Sequence, residues 1–229
     1  VRPRWRSPGW QARCVLETAE DQVVGFQLGL LEVLPTDAVP DRLAFLGPDL
    51  LDPAWDDPDA AEELLQASVS RLLADPGRPV GLALLDQRLV SGIGNIYRCE
   101  TLLLAGLHPR RPVGAVPDVR GLVLLARDLM RVNTGPGPRG TTGVLPDPGA
   151  PYGIRVREAP VRQLPGHGRR ADGRQAPATT DRRQPHYWVY GRERQGCLRC
   201  GGPVAVEQFG DQESGTPERV LFWCPHCQR

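Results

Sequence analysis

Two Cys-x-x-Cys pairs near the end of the chain constrain its fold more than any other feature. Cys197-Leu-Arg-Cys200 and Cys224-Pro-His-Cys227 are separated by 23 residues. Each pair forms a tight knuckle with two thiolates on one side, and two knuckles complete a tetrahedral Zn²⁺ site. Strand-like residues at 203–209 and 219–223, with a Gly-rich tip at 210–217, predict a β-hairpin between the knuckles. The spacing slightly exceeds the usual ribbon pattern, and the tip takes up the extra length. A module this small cannot hold a core without its metal. Two disulfides or a redox dithiol are the competing readings. Close pairs in a chain with no visible signal peptide and no apolar run approaching a membrane span favour a metal and an intracellular, cytoplasmic setting. His226 lies inside a knuckle and is read as a bystander, since four cysteines fill the site.

A second stretch, 84–109, reads as an apolar helix ending in a Gly92-Ile93-Gly94 corner, then a helix capped by Asn95. Leu84, Leu85, Leu89 and Val90 recur at helical spacing before the corner; Ile96, Leu103 and Leu104 resume the stripe after it. Gly92 and Gly94 are expected to adopt backbone shapes that a Cβ would forbid. A corner of this kind leaves N–H groups free at the positive end of a helix dipole, which suits a phosphate. A plain helical hairpin with a glycine C-cap fits the same letters. Arg219 opens the strand leading to Cys224, where the metal would stiffen its base. Its planar fork matches neighbouring phosphates, although a surface arginine on a hairpin is an equally simple reading.

The remainder reads in order. Residues 10–18 and 22–33 predict a β-hairpin turning at Glu20-Asp21, and a lone hairpin implies a larger sheet. Cys14 reads as a small core residue. A proline- and aspartate-rich connector at 35–58 precedes a helix of about sixteen residues capped by Asp59, and Asp118 opens a further helix. With Cys99 and Met130 as packing residues, these helices make a compact bundle. From 133 to about 185 the chain turns to Gly, Pro, Arg and Thr. That composition reads as a long loop or disordered insert, whose arginines either attract nucleic acid or solvate a linker. Net charge is +1, yet all 28 basic residues are arginine, and nineteen of them lie after residue 100 against eleven acids. A polyanion would therefore meet the C-terminal part. With no lysine, side-chain amine chemistry has no source here.

Taken together, the chain resembles the formamidopyrimidine-DNA glycosylase/endonuclease VIII family. The resemblance is carried by Leu84-Leu85-Asp86-Gln87, Gly92-Ile93-Gly94-Asn95-Ile96-Tyr97-Arg98 with Glu100, Leu46-Gly-Pro-Asp49, Thr141-Thr142-Gly143, Tyr190-Gly191-Arg192, the cysteine ribbon with Arg219, and the ending Cys227-Gln228. It implies an α+β fold made of a remnant of a β-sandwich domain (1–36), a helical helix–two-turn–helix domain (37–133), a loop insert (134–188) and a zinc ribbon (189–229). It further implies a monomeric, nucleoid-associated bacterial enzyme that removes oxidised bases from double-stranded DNA. Gly94 and Asn95 would hold a backbone phosphate. Arg219 would grip phosphates around the flipped nucleotide and serve the elimination step, and Cys197, Cys200, Cys224 and Cys227 would bind zinc. The second hairpin strand, Gln22-Val23-Val24-Gly25-Phe26, lacks the Arg-Arg-Phe-Gly run of formamidopyrimidine glycosylases, which favours the endonuclease VIII-like branch and oxidised pyrimidines.

One departure bears on the chemistry. The family's nucleophile is the amine of an N-terminal proline followed by glutamate, with a lysine further along, and these residues have no counterpart in the chain. The expectation is an N-terminally truncated glycosylase and abasic-site lyase, lacking about the first seventy residues and inactive as it stands. A non-catalytic zinc-dependent DNA-lesion binder is the alternative, and a zinc-ribbon protein-interaction module beside an unrelated helical domain is a third reading.

Overall fold

The protein is described by a computed structural model covering residues 7–135, 139–157, 187–211 and 216–229. It divides into two compact units, 1–44 and 45–229. In the first, β1 (Ala12–Glu17) pairs antiparallel with β2 (Gln22–Phe26), matching Val15 to Val24 and Leu16 to Val23. The second strand was expected to run to residue 33. It stops at Phe26 because Gln27 takes a left-handed conformation, φ 51°, that interrupts strand geometry. A short helix, α1 (Val39–Leu43), completes this unit. Cys14 is only half-buried.

The larger unit is built on α2 (Pro58–Leu73), α3 (Val80–Ala83), α4 (Asn95–Leu104) and α5 (Val119–Arg131). Asp57, rather than the expected Asp59, caps α2: its carboxylate accepts from the N–H groups of Asp59 and Ala60. Pro58 fills the first helical position, where its missing N–H costs nothing, which sets the boundary two residues earlier. Asp118 caps α5 as the sequence indicates, accepting from Gly121 N at 2.7 Å. Leu65, Val69 and Leu72 of α2 meet Leu122, Leu125 and Leu129 of α5 in one core that also takes Leu84, Val90, Ile93 and Leu102. Truncating Leu122 or Leu129 to alanine there would cost about 2–5 kcal/mol.

The apolar run ahead of the corner is not a helix beyond Ala83. Residues 84–91 form successive turns, with Leu85 N bonded to Leu82 O and Leu89 N to Asp86 O. Turns of three to four residues bury the same positions as a helix, so the spacing of Leu84 and Val90 misleads. The connector 46–50 lies against these turns: Gly47 N donates to Gln87 O, Ser91 N to Pro48 O and Leu50 N to Ser91 O. A Cβ on Gly47 would come within 2.4 Å of the Leu89 backbone, which explains a glycine in Leu46-Gly-Pro-Asp49.

The stretch expected to be loop is ordered where described. β3 (Val144–Pro146) pairs with β4 (Ile154–Val156), and Val144, Tyr152, Ile154 and Val156 pack on the helical core. Much of the expected insert, 158–186, lies outside the described residues. β5 (Ala205–Asp211) and β6 (Thr216–Trp223) form the last hairpin. Its inner face shares a second core with the helices, in which Phe209, Leu221 and Cys224 meet Leu82, Cys99 and Leu103. No described helix is long and apolar enough to cross a membrane.

Candidate nucleic-acid interface and metal centre

The corner is closed from within by one side chain. Gln87 accepts from Gly92 N through Oε1 at 2.9 Å, and its Nε2 donates to Leu85 O and Ile93 O. Gly92 has φ +99°, and a Cβ there would also strike the Met130 methyl at 2.8 Å, so glycine is required. Gly94 differs from expectation. Its backbone is extended (φ −100°, ψ −178°), which any residue adopts, and a Cβ would meet nothing within 4 Å. What glycine provides at 94 is bare backbone facing open space.

Asn95 is the first residue of α4, and Gly94 occupies the cap position without a side-chain cap. The expected Asn95 cap does not form because its amide is engaged elsewhere. Nδ2 donates to Val220 O of β6 at 2.7 Å, and Oδ1 accepts from Arg98. Arg98 is fully buried, with its guanidinium carbon 5.9 Å from the Phe209 ring centroid. Its Nε and Nη1 find no hydrogen-bond partner among the described residues, and burial lowers its pKa. A guanidinium only donates, so the Asn95 atom facing it must be oxygen, which turns the amide nitrogen towards the hairpin.

Asn95, Gly94 and Arg219 line one open groove of about 730 Å³, whose walls also carry Asp86, Arg88 and Tyr190. Arg219 lies opposite Phe209 in the β5–β6 register with its side chain exposed. The three DNA-contact candidates named from sequence thus share a surface. Tyr190 is a wall residue that the sequence names without a role. Its position depends on Glu100, a fully buried carboxylate that accepts from the N–H groups of Trp188 (2.7 Å), Val189 (2.9 Å) and Tyr190 (2.9 Å) and from the Thr141 hydroxyl. Burial pushes the Glu100 carboxyl up, while these four donors act against that. The sequence signal was an acid at an otherwise apolar helical position, five residues beyond Asn95.

The thiols of Cys197, Cys200, Cys224 and Cys227 all lie within 4.8 Å of one another. Cys197 and Cys227 are 4.0 Å apart, Cys200 and Cys224 3.5 Å. Zn–S bonds of about 2.3 Å in a tetrahedron require S···S edges of roughly 3.8 Å, so the set fits that ion. The Gln228 side chain locks the second knuckle to the helical part, accepting from Cys224 N and donating to Leu107 O.

A family profile described as "Formamidopyrimidine-DNA glycosylase H2TH domain" matches residues 54–131. "Endonuclease 8 2" of Mycobacterium tuberculosis is 39% identical over 223 residues, 96% of this chain and 68% of that protein. The chain belongs to the formamidopyrimidine-DNA glycosylase/endonuclease VIII family. Another relative in this family, "DNA-(apurinic or apyrimidinic site) lyase Nei2" of Mycolicibacterium smegmatis, is 36% identical over 94% of this chain. The chain spans 66% of that relative's length. Among solved structures, the MutM (Fpg) protein of Thermus thermophilus superposes with a TM-score of 0.56 at 26% identity, covering 97% of this chain and 70% of that one.

Proposed function

We propose that these residues form the DNA-gripping part of a base-excision repair glycosylase and abasic-site lyase, acting as a cytoplasmic monomer on oxidised bases in double-stranded DNA. The observation that carries the reading is the convergence of Asn95 and Arg219 on one groove at the start of a helix. A base inside the duplex hides its glycosidic carbon, so the enzyme must extrude the nucleotide at a cost of about a few kcal/mol. Phosphate contacts flanking the opened step offset that cost. The second Nδ2 hydrogen of Asn95 and the first N–H groups of α4 would hold one phosphate over the bare Gly94 backbone. The Arg219 fork would hold its neighbour and steady the phosphate that departs during β/δ-elimination. Cys197, Cys200, Cys224 and Cys227 would bind zinc, whose contribution is structural: it ties both ends of the β5–β6 hairpin and so fixes Arg219 and Val220. The β1–β2 hairpin is read as part of a β-sandwich domain and the cysteine hairpin as a zinc ribbon. The boundaries at 36, 133 and 188 are read as those of the β, helical, loop and ribbon segments. The endonuclease 8 name of the Mycobacterium tuberculosis relative and the strand Gln22-Val23-Val24-Gly25-Phe26 favour oxidised pyrimidines.

Affinity for a duplex carrying a stable abasic-site analogue tests the reading. Asn95→Ala and Arg219→Ala should each weaken binding by about 1–3 kcal/mol; unchanged affinity in both would favour a protein-interaction module. A non-catalytic lesion binder is favoured by one observation, the absence of any lysine in the 229 residues. Borohydride should trap no adduct with this chain. The coding sequence upstream of Val1 separates enzyme from binder by whether it supplies a Pro-Glu start.

A further inference from the structure

We propose that Arg88, oriented by Asp86, is a further phosphate-binding group of the groove, beside Asn95 and Arg219. The inference rests on the DNA reading above and extends it to a residue on the turn before the corner. Arg88 is 57% exposed at its side chain and forms part of the groove wall, whereas Asp86 is 5% exposed. The Asp86 carboxylate takes one edge of the Arg88 guanidinium in a two-point contact, Nε to Oδ1 at 2.9 Å and Nη2 to Oδ2 at 2.7 Å. It also accepts from Arg88 N at 3.0 Å, and from behind it is held by Arg78 at 2.8 Å, a side chain only 11% exposed. Two cations therefore share one carboxylate, and the exposed one faces the groove.

The backbone beneath Arg88 is equally constrained. Arg71 donates to Arg88 O at 2.8 Å, Gly47 N to Gln87 O, and Ser91 N to Pro48 O. A guanidinium on a fixed backbone, gripped along one edge, has little side-chain entropy left to lose on meeting an anion. Arg78 holds the same carboxylate from the buried side, while the Arg88 head group meets solvent at the groove wall. Phosphates recur along a DNA strand, so donors spread along one groove engage successive ones, and each contact adds its own share to the salt dependence.

The test measures binding of the zinc-loaded 229-residue chain to the abasic-analogue duplex across a salt series. The chains compared are the unaltered one, Arg88→Gln, Arg88→Lys and, as reference, Arg219→Ala. Arg88→Gln should weaken binding roughly tenfold and reduce the slope of log affinity against log salt by about 0.9, as loss of one phosphate contact does. Arg88→Lys should keep the slope and lose part of the affinity, since a lysine keeps the charge without the fork. Unchanged affinity and slope in Arg88→Gln, with both reduced in Arg219→Ala, would overturn the proposal and leave the DNA reading standing. Failure of the unaltered chain to bind the duplex would overturn both. Thermal melting of Arg88→Gln should match the unaltered chain; a large drop accompanied by an unchanged salt slope would assign Arg88 a purely structural role.

Discussion

Single side chains in this protein act by what they can and cannot donate. Arg98 can only donate, and that fixes which way the Asn95 amide points. Glu100 can only accept when ionised, and it gathers three consecutive backbone N–H groups and a hydroxyl, tying the Tyr190 segment to α4. Glu100→Gln would turn a donor towards those donors. We expect it to lower stability by about 2 kcal/mol or more, read as a fall in the urea midpoint, and to weaken DNA binding through displacement of Tyr190. Sequence made Asn95 and Arg219 visible because residue type and local spacing mark them. It gave no role to Glu100 and Gln87, because their partners lie at backbone positions whose letters carry no signal.

At the level of elements, the hairpin and the helices are joined by a seam of mixed chemistry. His108 stacks edge-on against Trp223 at 4.5 Å and accepts from Arg110 N through Nδ1, and Arg110 lies over Phe209 at 4.6 Å. Burial, followed by the Arg110 charge, holds the His108 pKa below its ordinary 6.5, with Glu207 opposing and Arg111 adding to the shift. The folded state then binds its proton less readily than the unfolded chain, so this contribution is complete above about pH 6.5 and is lost as pH falls below it. Urea midpoints at about pH 7.5 and about pH 5.5 should therefore diverge more for the unaltered chain than for His108→Gln. The proposed zinc bears on the same hairpin. A strong zinc chelator should abolish DNA affinity while helical circular dichroism largely persists, because α2–α5 keep a core of their own whereas the knuckles do not. Loss of the helical signal on chelation would show that the hairpin also supports the bundle.

Over the whole molecule, the two compact units differ in how much they bury. No described residue of 7–44 is buried, and Leu16, Val23 and Val33 are 63%, 63% and 97% exposed. The helical unit instead encloses Leu50, Leu84, Leu102 and Leu129 almost completely. Native-state hydrogen exchange should follow this division, with β1–β2 amides exchanging through low-energy openings and α4–α5 amides only through global unfolding. Equal protection in the two units would contradict it.

The order of helices, the cysteine hairpin and the glycine corner were legible in the sequence, because each depends on contacts between residues close along the chain. Three features were not: the turns that replaced a helix after Ala83, the engagement of the Asn95 amide, and the pairing of Val144–Pro146 with Ile154–Val156. Each is decided by a partner far away in sequence, Pro48 for the turns, Val220 for the corner's asparagine and the α5 core for the strands. Residue letters specify which groups need partners; only the tertiary structure determines which partners they meet, and so which face of the corner and hairpin is left open to a ligand.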